Sequence, residues 1–188
     1  MGSMRWMRWW PVIVLVALAV WAAPVSDPVW EALRAPGSVI VLRHSHVPGA
    51  SDPPGAKLDD CSTQRNLDED GRAQARRIGQ AFRKYGIVVG AVLSSPRCRC
   101  LDTARLAFGR AQAWGPLQGS LDDEARRREV VEIRKAIAEH RSGALLVLVT
   151  HGNVITDLAG PRVPMGSLVV LRRSPNGRHT VAGQLHVN

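Results

Sequence analysis

Arginines and histidines stand in three short polar sets, each directly after an apolar run. Val39-Ile40-Val41-Leu42 leads into Arg43-His44, with His46 two residues on. Ile87 to Leu93 leads into Ser94 through Arg99, and Ala144 to Val149 leads into Thr150-His151-Gly152. Guanidinium groups hold phosphoryl oxygens in a fixed fork of donors, and a neutral imidazole can attack phosphorus as a nucleophile. Cations and donors gathered around a phosphoryl group also spread the charge of its transition state. Brought together, these sets suit phosphoryl transfer.

The elements around them decide whether they can meet. Short, continuous apolar runs read as strands buried on both faces, the pattern of a parallel sheet. Parallel strands deliver their carboxyl ends to one edge, where open α/β sheets place ligands. Between the strands the periodicity is helical. Asn66 to Glu69 reads as a capping box with Asn66 as the N-cap, followed by Ala75, Ile78, Phe82 and Tyr85 at helical spacing as far as Gly86. Ser95 reads as the cap of a second helix with Pro96 at its first position, which puts Arg97, Cys98 and Arg99 in the first turn. Residues 121–141 read as a charged helix with Val130, Ile133 and Ile137 on one face, and a further helical stretch runs to Gly160. Strands over 167–172 and 179–187 close the chain. This alternation predicts an α/β fold, a three-layer sandwich with a mostly parallel central sheet. Pro48, Gly49, Pro53, Pro54 and Gly55 make residues 47–65 a long loop over the sheet edge.

The formal charge is +9, from 25 basic and 16 acidic residues. The arginines are scattered and lack interleaved aromatics, so no nucleic-acid partner is expected and most read as a solvated face. Arg5 and Arg8 precede an uncharged apolar stretch over residues 11–21, the pattern of a signal peptide cut after Ala22. The alternative is membrane association through an anchor over residues 9–23. The expected organisation is therefore a signal peptide or membrane anchor over 1–22, a linker over 23–37 that contains the short helical piece WEALR, and one domain over 38–188. Cys61, Cys98 and Cys100 lack the C-x2-C spacing of a zinc site, so no metal is expected. Outside the cytosol one pair can oxidise, Cys61 with either Cys98 or Cys100.

LRHS at 42–45, SSPRCRCLDTA at 94–104 and VTHGNVI at 149–155 resemble the three motifs of the histidine phosphatase superfamily, also called phosphoglycerate mutase-like. NLDEDGRAQA at 66–75 resembles the segment between its first two motifs, and the resemblance spans roughly residues 38–172. It implies a phosphoglycerate mutase-like fold and a metal-independent, cofactor-free phosphatase working through a phosphohistidine. His44 would be the nucleophile, Arg43 and Arg99 phosphate ligands, and His151 the second pocket histidine, both catalytic and phosphate-binding. Ser45 stands where glycine is common and Ala50 where mutase-like members often have asparagine, which points to a phosphatase over a mutase. An acid in the middle segment protonates the leaving group in some members. Asp122, Asp123 and Glu124 are the candidates here, with Asp123 preferred. If none serves, the substrate should carry a good leaving group, such as a phosphohistidine or an acyl phosphate.

The leader, DDCSTQRNL and SSPRCRC are together similar to a periplasmic branch that includes lipopolysaccharide core heptose phosphate phosphatases. That likeness implies a small-molecule or glycan phosphomonoester as substrate. A protein phosphohistidine phosphatase and a non-catalytic phosphate-binding module at the membrane are the alternatives. Residues 47–65 and 110–124 are expected to wall the pocket.

Overall fold

The computed structural model describes residues 27–160 and 162–187. The leader expected over 1–22, or 9–23 as an anchor, lies outside them. Among the described residues no helix is long and apolar enough to cross a membrane.

The apolar runs are strands: β1 (Val39–Arg43), β2 (Val89–Ser94), β3 (Gln112–Ala113), β4 (Leu145–Thr150), β5 (Ser167–Arg173) and β6 (His179–His186). They form one sheet in the order β3-β2-β4-β1-β5-β6. The first four strands run parallel, β5 pairs antiparallel to β1, and β6 pairs antiparallel to β5. Val39 to Leu42 and all of β4 are buried, as expected of strands covered on both faces. The two-residue β3 is too short to show any periodicity in the sequence.

Alternation sends successive strand residues to opposite layers. Ile40, Leu42, Val147 and Val149 pack with Trp30, Ile78, Phe82 and Ala104, residues of α1 (Pro28–Ala32), α2 (Glu69–Lys84) and α3 (Cys98–Phe108). Val39, Val41, Leu146 and Leu148 pack with Ile133, Ile137, Val154 and Ile155, residues of α4 (Asp123–Glu139) and α5 (Gly152–Ala159). The result is the expected three-layer sandwich.

Several boundaries move, each for a local reason. The cap of α2 is Asp68 rather than Asn66, because the Asp68 carboxylate accepts from Gly71 N at 2.8 Å. Asn66 Nδ2 instead donates to the carbonyls of Cys61 and Gln64. Helix α3 begins at Cys98, two residues later than expected, since Ser95 continues the β2 ladder with its amide on Val149 O. Helix α4 is shorter than 121–141 and starts after Asp122, whose carboxylate accepts from Ala125 N. Residues 28–33 are not linker: Trp30 is buried, stacks on Tyr85 with ring centroids 4.2 Å apart, and meets Phe82 edge-on. Helices α2 and α3 approach so closely that a Cβ on Gly79 would lie 2.1 Å from Ala107 O.

Of the two cysteine pairings, Cys61–Cys98 forms, and Cys100 is free and buried. The bridge joins residues 37 apart and fastens the end of the 47–65 loop to the first residue of α3. Burial pushes the Cys100 thiol up to about 12, so it is an inert protonated thiol. Thiol counting on unreduced protein is expected to give no fast-reacting group in the native state and one after denaturation. Cys61→Ser should lower the unfolding free energy by about 2–4 kcal/mol in urea melts of the oxidised proteins.

Candidate active site

Strand register brings the three polar sets together. Arg43 pairs with Thr150, and Ser94 pairs with Val149, so His44, Ser95 and His151 emerge side by side from three neighbouring parallel strands. The ladder extends one residue further, with His44 N donating to Thr150 O at 3.0 Å and Ser95 N to Val149 O at 2.9 Å.

His44 is 4% exposed, and its Nδ1 lies 2.9 Å from Ser45 O. A carbonyl only accepts, so this contact assigns the ring proton to Nδ1 and leaves the lone pair on Nε2. Burial lowers the His44 pKa to about 3 against the bond to Ser45 O, and Arg99, Arg43 and Arg65 push the same way as burial. The imidazole is therefore neutral at physiological pH, the form a nucleophile needs. Behind it, Ser45 N donates to Thr103 Oγ1, and that hydroxyl donates to Arg99 O, so α3 fixes the turn that carries His44.

His151 is also buried, with its ring 5.4 Å from that of His44 and its Nε2 2.9 Å from Ser95 Oγ. Burial holds its pKa well below the ordinary histidine range, assisted by His44, Arg99, Arg97 and Arg43. Ser95 Oγ accepts from Arg97 N at 3.3 Å, so Ser95, expected as the helix cap, lies two residues before the observed cap Arg97 and orients the imidazole instead.

The two expected phosphate arginines are held alike. Arg43 Nη1 donates to Val163 O at 2.8 Å, and Arg99 Nη1 donates to Asp52 at 2.9 and 3.1 Å. The Nε atoms of Arg43, Arg99 and Arg65 are buried without a partner. Buried donors of this kind cost free energy unless something accepts from them. All three arginines line one crevice of about 750 Å³ together with His44, Arg97 and His151. Residues 50–53, 55, 56 and 118–122 form its walls, within the two segments expected to do so.

Asp123 is corrected. Its carboxylate is 70% exposed, pairs with Arg126 and does not line the crevice. Helix α4 starts at this residue, so the cap Asp122 faces the crevice while Asp123 and Glu124 turn outward, Glu124 to Arg128. His46 lies outside the crevice and pairs with Asp68 at 2.8 Å. Two crevice residues escaped the sequence reading. Asp52 sits in the irregular loop and Arg65 just before α2, where no periodicity marks them. Among the described residues no group of three or more His, Cys, Asp or Glu side chains converges as metal ligands would.

Residues 39–114 match the family model of the histidine phosphatase superfamily, branch 1. This match supports that superfamily. It includes Arg43, His44 and Arg99 and ends before His151. Among solved structures, the protein histidine phosphatase SixA complexed with tungstate is 14% identical, with a TM-score of 0.56 over 79% of this chain and 96% of that one. Phosphoserine phosphatase from Entamoeba histolytica, in complex with 3-phosphoglyceric acid, is 14% identical, with a TM-score of 0.55 over 78% and 95%. The product of an open reading frame of Mycobacterium tuberculosis is 20% identical, with a TM-score of 0.58 over 80% and 97%. No curated protein matches the chain significantly. At these identities the likeness shows a shared fold, the phosphoglycerate mutase-like sandwich of histidine phosphatases.

The depressed histidines make stability depend on pH. Between the ordinary value of 6.5 and about 3, the unfolded chain binds a proton at His44 that the folded chain does not. Stability therefore falls as pH is lowered through that window, and His151 adds to the loss. Urea midpoints at pH 7 and 5 should show a smaller pH-dependent loss for His44→Asn than for the natural chain.

Proposed function

We propose that the protein is a phosphatase that hydrolyses phosphomonoesters through a phosphohistidine on His44, outside the cytoplasm and without a metal ion. The observation that carries this reading is the buried, neutral His44, whose proton is fixed on Nδ1 by Ser45 O and which sits among Arg43, Arg99 and His151. In the first step the Nε2 lone pair forms a bond to phosphorus, the ester P–O bond breaks, and the leaving oxygen takes a proton from the Asp122 carboxyl at the crevice wall. In the second, water attacks phosphorus and gives a proton back to the Asp122 carboxylate, the P–N bond breaks, and inorganic phosphate leaves as neutral His44 is restored. Arg43, Arg99 and His151 hold the non-bridging oxygens and stabilise the charge that develops on them.

Two observations support a hydroxyl-rich leaving group and export. Ser51 and Gln118 line the crevice beside the cations, polar side chains suited to the hydroxyls of a sugar or glycan phosphate, while Ser120 is bonded to Glu129 and Asn153 to Gly119. The Cys61–Cys98 bridge belongs to an oxidising compartment, in keeping with the basic and apolar leader pattern.

A second reading, a phosphohistidine or other activated phosphoryl group as substrate, is favoured by the state of the crevice acids. Burial pushes the Asp52 carboxyl up, but the Arg65 amide together with Arg99 and Arg97 outweighs it and holds Asp52 below its usual range. Asp122 Oδ1 is engaged as the α4 cap. A leaving group that departs without protonation fits such a site.

Purified protein in EDTA is expected to hydrolyse p-nitrophenyl phosphate and to trap an acid-labile phosphoenzyme, both lost in His44→Ala. Turnover that survives that substitution overturns the nucleophile. Binding of vanadate without turnover on any phosphoester would instead select a phosphate-binding module. For a sugar phosphatase, Asp122→Asn should slow alkyl phosphates by about 10²–10⁴-fold and aryl phosphates much less. An equal effect of that substitution on both ester types would favour the activated substrate. Cell fractionation with mass measurement of the N-terminus tests export, and an intact chain in the cytoplasm refutes it.

A further inference from the structure

Four guanidinium groups, those of Arg43, Arg65, Arg97 and Arg99, line one crevice. Like charges in a partly desolvated space repel, so some fixed anion must hold them in place before any phosphate arrives. Asp52 answers that description. Its Oδ2 accepts from Arg97 Nη1 at 2.9 Å, both its oxygens accept from Arg99 Nη1, and Arg65 Nε lies 3.9 Å away. The carboxylate is itself fixed, because its Oδ1 accepts from Arg65 N at 3.0 Å.

The comparison with Arg43 shows what this arrangement does. Each of the two phosphate arginines is gripped at Nη1 by a protein acceptor, and each keeps a buried Nε with no partner. For Arg43 the acceptor is a backbone carbonyl, Val163 O. For Arg99 it is a side chain on the 47–65 loop. That loop is fastened to α3 next door, by the Cys61–Cys98 bridge and by Gln64 Oε1 accepting from Cys98 N at 3.1 Å. Asp52 closes the unit from the other end.

We propose that Asp52 is a positioning residue, the carboxylate that holds the Arg99 guanidinium by Nη1 so that its remaining donors face the phosphoryl group. The kinetic part of this assignment rests on the phosphatase reading, while the binding part does not. Two other roles for the same carboxylate give distinguishable outcomes. An internal competitor for Arg99 would exclude phosphate, so its removal would tighten binding. A general acid would serve the leaving group alone, so its removal would slow alkyl esters and spare aryl ones.

The test measures inorganic phosphate binding by calorimetry, and kcat and KM with one aryl and one alkyl phosphate, on the full chain with its bridge intact. Asp52→Asn is expected to weaken phosphate binding at least about tenfold and to lower kcat/KM on the order of 10²-fold for both esters alike, the scale of loss that a misplaced group produces. Asp52→Glu, which restores the charge on a longer stem, should recover part of both. Tighter phosphate binding in Asp52→Asn, or a loss confined to alkyl esters, overturns the assignment. If the melting curve shows that Asp52→Asn does not fold, Asp52→Glu carries the test alone. It must then bind phosphate more weakly than the natural chain and slow both esters together, and either failure overturns the assignment. A chain that binds phosphate in an Asp52-dependent way yet turns over no ester refutes the phosphatase reading and leaves the role of Asp52 standing.

Discussion

A slip of one residue between β1 and β4 would turn His44 out of the crevice and carry Val39 and Val41 across to the layer that Ile40 and Leu42 occupy. Strand side chains alternate with a period of two, so register and facing are the same choice. Both layers are closed over these strands, and all four residues are fully buried. Each contributes roughly 1.5–3 kcal/mol by leaving water, and the wrong face would forfeit shape-matched packing as well. The placement of His44 against His151 is thus fixed by the core, through the Arg43–Thr150 and Leu42–Val149 pairs, before any polar contact in the crevice is considered. Backbone bonds from His44 N to Thr150 O and from Ser95 N to Val149 O carry that rigidity one residue past the sheet.

What the core positions, the crevice leaves electrically uneven. Guanidinium groups stay charged in any environment a protein offers, whereas an imidazole gives up its proton when burial and neighbouring cations oppose it. Arginines therefore carry permanent charge in the crevice while the histidines beside them stay neutral, and under the proposed function the same cations that would hold the substrate would keep the nucleophile unprotonated. The arrangement costs stability in the free protein. Under the proposed function a bound phosphate would offset that cost, since a ligand that binds only the folded state stabilises it increasingly as its concentration exceeds its Kd.

The strands and the chemistry at their ends were legible because β1 and β4, covered on both faces, leave short apolar runs that end in polar residues, although β2 proves only partly buried. Arg43, His44, Arg99 and His151 follow such runs or open the next helix, and they converge. Caps were less legible. Asn66 and Asp68 are both good cap residues, and the choice falls to Asp68 through a hydrogen bond to Gly71 that the sequence does not rank above its rival. The same one-residue ambiguity at the start of α4 separates Asp122, which faces the crevice, from Asp123, which does not. Trp30 lay in a Pro-rich stretch that reads as linker, yet it fills a gap against Phe82 and Tyr85. Asp52 and Arg65 were invisible for another reason. Their loop has no repeat, and their positions follow from contacts with α3 formed only after the chain has folded.

That loop also bears on how chemistry and selectivity divide between parts of the fold. In open α/β sheets the reacting groups sit at strand ends and the surrounding loops choose the substrate, so the two can vary independently. Here they are joined. Residues 50–53 form part of the crevice wall, and Asp52 among them grips Arg99, the arginine that would meet the phosphate. The Cys61–Cys98 bridge fixes the far end of the same loop to the helix that carries this arginine. A change in the wall that moved Asp52 would therefore move Arg99 with it, whereas the opposite wall, at residues 118–122, makes no hydrogen bond to Arg43 or Arg99. Under the proposed function substrate selection would have more freedom on that second wall, through Gln118 and Leu121, while the first would be restrained by its hold on Arg99.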